Sequence, residues 1–209
     1  MICAFVGAGG KTTLIHEQAA AYRAEGKRVF VTTSTHMFIE PDTVLSDDPD
    51  VILAELNRAG YVMAGLPEGQ KIRALSPETY AKVCAHADVV LVEADGSNGQ
   101  PIKFPNATEP VLPDNVAEIV VVCGLQAVGK PLREAAHRPE LVKKCLGAED
   151  DTIITLEHIA VLVQEGYLRP LREQYQKVSV YPVNGSEEQK NELLARINCT
   201  LSEFRRAGL

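Results

Sequence analysis

The run Val6-Gly7-Ala8-Gly9-Gly10-Lys11-Thr12-Thr13 carries the residue types that cradle a phosphate. An apolar segment, Ile2-Cys3-Ala4-Phe5-Val6, precedes it and a helical pattern follows it. Strand, glycine turn, Lys-Thr and helix together form an anion-binding unit. Glycine reaches backbone angles that other residues avoid, so successive N–H groups from Gly7, Ala8, Gly9 and Gly10 can turn inward. The start of a helix adds free N–H groups and the positive end of a dipole. Lys11 is placed to reach terminal phosphates and the Thr12 hydroxyl to ligate Mg²⁺, with Thr13 completing the cradle. The spacing departs from the standard pattern, which sets four residues between its first glycine and the Gly-Lys pair. Counting back from Gly10 reaches Phe5, whereas Gly7 is nearer. The loop is therefore either shorter or begins on a bulky residue. The competing reading is a glycine turn with an incidental Lys-Thr.

A second group of candidates ends another apolar run, Val89-Val90-Leu91-Val92, which leads into Glu93-Ala94-Asp95-Gly96. Mg²⁺ prefers hard oxygen ligands and keeps several of its waters. Glu93 is the expected metal partner. Asp95 is expected to share the metal side, orient a water or bind a second ligand. Glu93-x-x-Gly96 resembles the Asp-x-x-Gly of nucleotide switches, where the glycine N–H faces the terminal phosphate. Lys11, Glu93 and Asp95 are thus the catalytic candidates. Thr32-Thr33-Ser34-Thr35-His36 ends a further strand-like run, and Thr35 and His36 are candidates for a second ligand. Such hydroxyl clusters are also ordinary turn chemistry. Near the carboxyl end, Asn184-Gly185-Ser186-Glu187 partly matches the Asn-Lys-x-Asp of guanine-specific switches. Asn184 fits and Glu187 can replace the acid, but the lysine is absent, so ATP and GTP both stay open.

These residues need elements to position them. Apolar residues recur with helical period over about 11–25, with Ile15, Ala19 and Tyr22 inward and Gly26 as a stop. Asp48-Pro49, Ser76-Pro77 and Thr155 mark further helix starts, and Gly166 a stop. Ser186 and Gln189 form a capping box ahead of a last helix striped by Leu194, Ile197, Leu201 and Phe204. Short apolar runs at 29–31, 61–64, 89–92, 119–122 and 178–183 read as strands, and Ile153-Ile154 as a weaker one. Alternating strands and helices predict a three-layer α/β fold of the P-loop NTPase-like class, a mostly parallel sheet with helices on both faces. The 209 residues suit a single domain, with a small helical subregion at about 133–175. The segment 97–118 breaks the alternation with four prolines and no period. It leaves the carboxyl end of a central strand, where ligands bind in open α/β sheets.

Composition excludes several classes. A net charge of −7 leaves no broad basic surface for nucleic acid. The five cysteines, at 3, 84, 123, 145 and 199, are scattered, which argues against a disulfide frame or structural zinc. Cys3 and Cys123 fall in apolar runs and read as small core residues. No apolar run approaches the roughly 18 residues of a membrane span. The first strand starts at residue 2, leaving no room for a cleavable signal. A soluble cytoplasmic protein is expected.

Ordered motifs across the chain sharpen this. GAGGKTT at 7–13, TTSTHM at 32–37, VEADGS at 92–97, PIKFP at 101–105, EPVLP at 109–113, GKP at 129–131 and HRPE at 137–140 resemble the YqeC family. That resemblance implies an accessory protein of selenium-dependent molybdenum hydroxylases. The resemblance implies a P-loop NTPase fold and a role in maturing a molybdenum enzyme or its cofactor. It adds Lys103, Glu109, His137 and Arg138 as candidates for a second ligand or partner. Many relatives in the wider group of maturation NTPases carry a further lysine just ahead of the loop; Phe5 and Val6 stand here instead. That argues against the same dimer mechanism, though a homodimer stays compatible. Three activities share these residues: an Mg²⁺-dependent nucleoside triphosphatase, a small-molecule kinase or nucleotidyl transferase, and a nucleotide-binding chaperone that does not hydrolyse.

Overall fold

A computed structural model describes residues 1–198; the expectations for Cys199, Leu201 and Phe204 lie outside the described residues. Six strands make the main sheet: β1 Ile2–Gly7, β2 Val29–Thr33, β3 Tyr61–Met63, β4 Val89–Glu93, β5 Glu118–Gly124 and β6 Val178–Val183. Their spatial order is β6-β5-β1-β4-β2-β3, and every pairing is parallel. β2, β4 and β5 are buried along their whole length, and β1 from Cys3 onward. That is why they read as continuous apolar runs rather than alternating ones.

Alternation along each strand divides the core into two sides. Cys3, Phe5, Val31, Leu91 and Val120 meet Leu14, Ile15 and Ala19 of helix α1, Lys11–Ala24. Ala4, Val6, Ile119, Val121 and Val180 face the opposite way. They are covered by the Leu156–Val163 and Glu187–Arg196 helices. Phe30, Val90 and Val92 meet the Pro49–Ala59 and Pro77–Cys84 helices on that same side. The helix starts follow the sequence signals. Asp48 and Ser76 cap ahead of Pro49 and Pro77, and Thr155 and Ser186 form capping boxes with His158 and Gln189. Among the described residues no helix is long and apolar enough to cross a membrane. Cys3 and Cys123 are core residues, and burial pushes both thiols up to about 12.

Three elements depart from the sequence reading. Gly166 does not end a helix. The Leu156–Val163 helix continues through a π-turn, Gln164–Leu168, into Arg169–Arg172. A Cβ on Gly166 would lie 2.8 Å from Pro105 Cδ, so this glycine serves the close approach of the 97–118 segment. Ile153 makes only an isolated bridge, with Pro131, and is 52% exposed. Finally, His36–Phe38, Leu66–Glu68 and Lys71–Arg73 form a small antiparallel sheet beside the main one.

Candidate functional site

The loop begins at Gly7. Phe5 lies wholly within β1, fully buried, so the shorter of the two loop readings is the one built. Gly7 and Gly9 take φ of +91° and +93°, and both press on the end of β5. A Cβ on Gly7 would stand 2.1 Å from the Val122 oxygen, and one on Gly9 2.5 Å from Gly124 Cα. No larger residue fits either position. Gly10 caps α1, so Lys11, Thr12 and Thr13 occupy its first turn, where N–H groups lack helical partners. The Gly9 oxygen accepts from the amides of Asn184, at 3.0 Å, and Gln126, at 3.1 Å, which pin the loop from the β6 and β5 ends.

The tip of β4 stands against this loop. β4 pairs with β1 with Glu93 opposite Phe5, which sets its exit beside Gly7. The Thr12 hydroxyl donates to Glu93 Oε2 at 2.9 Å. Lys11 Nζ donates to the Gly7 oxygen at 2.6 Å and lies 3.2 Å from Asp95 Oδ1 and 3.9 Å from Glu93 Oε1. Burial raises the Glu93 carboxyl above its ordinary range. Lys11 and the Thr12 hydroxyl pull it down, and Asp95 pushes it up again. Among the described residues no group of three or more His, Cys, Asp or Glu gathers as a metal cluster. Thr12 and Glu93 instead offer two hard oxygens side by side on the cleft wall, which fits an Mg²⁺ that keeps most of its waters.

Asp95 takes a place different from the one expected. It is completely buried and lines no part of the cleft, so it is not positioned to ligate a metal in the cleft or touch a second ligand there. It is the hub behind the loop. Its Oδ2 accepts from the Gly7 N–H at 3.0 Å and the Tyr167 hydroxyl at 2.8 Å, and Lys103 Nζ lies 3.4 Å away. A buried carboxylate is tolerated only with such partners. Lys103 is equally buried. It donates to the Gly96 oxygen at 2.7 Å and to Glu109 Oε2 at 2.9 Å, and Arg138 donates to that same oxygen at 2.7 Å. Charges therefore alternate from Lys11 through Asp95, Lys103 and Glu109 to Arg138. Burial works against the Glu109 charge, but the Lys103 and Arg138 bonds and the Asn106 N–H outweigh it and hold its carboxyl below the ordinary range. Burial, Arg138 and Lys103 lower the proton affinity of His137.

An open cleft of about 910 Å³ lies at this edge of the sheet. Gly9, Gly10, Lys11, Thr12, Thr13 and Glu93 line one part of it. Thr35, His36, Gly96, Glu109, His137, Arg138 and Asn184 also reach it, while Gly7, Ala8, Asp95 and Lys103 lie behind.

A model of the YqeC protein family matches residues 3–140, well over half of the chain. The chain belongs to the YqeC family. It is 31% identical over 172 residues to the YqeC protein of Escherichia coli (strain K12), covering 78% of this chain and 67% of that one. Among solved structures, the MinC:MinD cell division protein complex of Aquifex aeolicus matches at 10% identity with a TM-score of 0.49, over 96% of this chain and 78% of that one. MinD of the same organism matches at 12% identity with a TM-score of 0.44, over 96% and 79%. At TM-scores below 0.5 neither likeness adds to the assignment.

In this YqeC-family chain the matched motifs converge on one place. GAGGKTT, VEADGS, PIKFP and HRPE contribute the loop, the hub, Lys103 and Arg138. The 97–118 segment is tied down at several points. Ile102–Lys103 pairs with Ala136–His137, the Val111 N–H donates to the Ala94 oxygen, and Lys103 and Glu109 are locked into the ion chain. Asn184 braces the loop, and Ser186 caps the Glu187–Arg196 helix. Sequence reasoning missed Tyr167 and Gln126. Both act through the fold, and neither carries a local signal: Tyr167 is turned toward Asp95 by the π-turn.

Proposed function

We propose that this protein is an Mg²⁺-dependent nucleoside triphosphatase that assists maturation of a molybdenum hydroxylase or its cofactor. One observation carries the nucleotide reading. A short glycine loop at a helix start, with Lys11 and Thr12 in the first turn, is joined to the Glu93 tip of the neighbouring strand by a 2.9 Å bond. That arrangement offers amides, an ammonium and two hard oxygens to a polyphosphate. Lys11 and the free amides of α1 would bind phosphate oxygens. Thr12 and Glu93 would hold the metal, whose chemistry here is to neutralise charge on the phosphates. Hydrolysis then breaks the bond between the terminal phosphorus and its bridging oxygen, with water entering and inorganic phosphate leaving. The maturation role rests on the family resemblance, and the cytoplasmic setting on the odd, scattered set of cysteines.

A second reading, transfer of the phosphoryl group to a small acceptor, is favoured by the reach of the cleft well beyond the loop. Calorimetric titration with ATP and GTP, with and without Mg²⁺, followed by phosphate release tests both. Lys11→Ala is expected to weaken binding by at least about tenfold and to abolish turnover. Unchanged turnover in that variant overturns the proposal.

A further inference from the structure

The small antiparallel sheet has a use that the loop does not explain. Its register sets His36 opposite Arg73 and Phe38 opposite Lys71. Alternation then sends those four side chains to one side. Met37 and Ile72, 2% and 0% exposed, go to the other and anchor the sheet in the main core. The outward side lines the same cleft as the phosphate loop. Phe38 is 55% exposed, and Lys71 Nζ stands 4.8 Å from its ring centroid. A ring holds an ammonium in place without neutralising it. Among the described residues Lys71 forms no ion pair with a carboxylate. Glu68, the one acid on this small sheet, lies 3.2 Å from His36 Nε2 and 3.7 Å from Arg73 Nε.

Charge supports the same conclusion. The cleft is lined by Lys11, Lys71, Arg73 and Arg138 against Glu93 and Glu109, in a chain whose net charge is −7. In an acidic protein, a cleft where four cations face two acids is suited to hold anions. Lys11 is engaged with Gly7 and Asp95, and Arg138 with Glu109. Lys71 and Arg73 are the cations not committed to the loop or the ion chain.

We infer that the outward side of this small sheet is a second anion subsite, taking the phosphate or carboxylate group of a small molecule bound beside the nucleotide. Lys71 and Arg73 bind that group, and the Phe38 ring keeps the Lys71 ammonium in position. The inference rests on the nucleotide reading for what occupies the loop. It deepens that reading by giving the chemical class of the second ligand.

Calorimetry with pyrophosphate and with citrate tests it. The wild-type protein, first saturated with ADP or GDP and Mg²⁺, is expected to take one further equivalent of at least one of the two anions. The preferred anion tells phosphate from carboxylate. Lys71→Ala combined with Arg73→Ala is expected to weaken that second binding at least tenfold and to leave nucleotide affinity within about twofold; Lys71→Arg is expected to retain it. No second equivalent of either anion overturns the subsite. So does an equal loss of nucleotide affinity in the double variant, which would mean that these cations hold the nucleotide itself. Lys11→Ala without nucleotide separates the two failures. Anion binding there that the Lys71 and Arg73 substitutions remove supports the subsite even if the loop takes no nucleotide, and its absence overturns the subsite.

Discussion

Asp95 shows how much one buried residue can organise. It ties the first loop glycine, the loop lysine, the π-turn tyrosine and Lys103 to a single carboxylate. Tyr167→Phe removes one charge-assisted bond and leaves the ring packed. Urea unfolding should show a loss of about 1.5–3 kcal/mol, the range for bonds to charged groups. Glu93, two residues earlier, has the opposite character: burial dominates and raises its carboxyl. The folded protein therefore holds that proton more tightly than the unfolded chain does. The stability this contributes is full below the ordinary carboxylate range and is lost as pH rises through the raised value. Glu93→Gln lacks that loss. The difference in melting temperature, variant minus wild type, should grow more positive from about pH 4 to about pH 8. A flat difference would mean that Glu93 is not held in its raised state. Mg²⁺-dependent nucleotide affinity should weaken as pH falls through the same window in the wild type and not in the variant.

At the scale of elements, the ion chain from Lys11 to Arg138 is what fixes the 97–118 segment against the sheet. Lys103→Met leaves the buried Asp95, and Glu109 at the cleft edge, without their shared cation. Breaking a buried pair on one side costs about 3–5 kcal/mol. The exposed Lys82–Asp50 pair, at 2.8 Å, is the control. Its loss should change stability by less than about 1 kcal/mol in the same denaturant titration. These elements also show what a linear reading reaches. The strands of the main sheet and the starts of its helices were legible because burial on both faces and capping chemistry write themselves into neighbouring residues. So was the convergence of Lys11, Thr12 and Glu93, which sit where strand, turn and helix meet. The small antiparallel sheet was not, because His36–Phe38 and Lys71–Arg73 are three residues each and pair across more than thirty positions. Gly166 misled for a related reason. A glycine that ends a helix and one that admits a neighbouring chain look alike until Phe104 and Pro105 are seen against it. Asp95 looked like a ligand because only the packing of Tyr167 and Lys103 around it shows that it faces inward.

At the scale of the whole molecule, charge is divided: the chain is acidic and its cleft is not. At a distance an approaching polyanion meets the net charge, and close in it meets the lysines and arginines. Added salt screens the distant repulsion first, since the Debye length is about 10 Å at 0.1 M. Raising the salt to about 0.5 M should weaken nucleotide binding through faster dissociation, with no fall in association rate. Stopped-flow kinetics would show it, and a steep fall in association rate would contradict it. The sheet order has a consequence of another kind. β1 lies in the middle, yet its partners are residues 89–93 and 118–124. During synthesis the ribosome releases this greasy ribbon more than eighty positions before anything can zip onto either of its edges. Until then it must be shielded from other nascent chains, so the element that carries the phosphate loop is also the one that waits longest to fold.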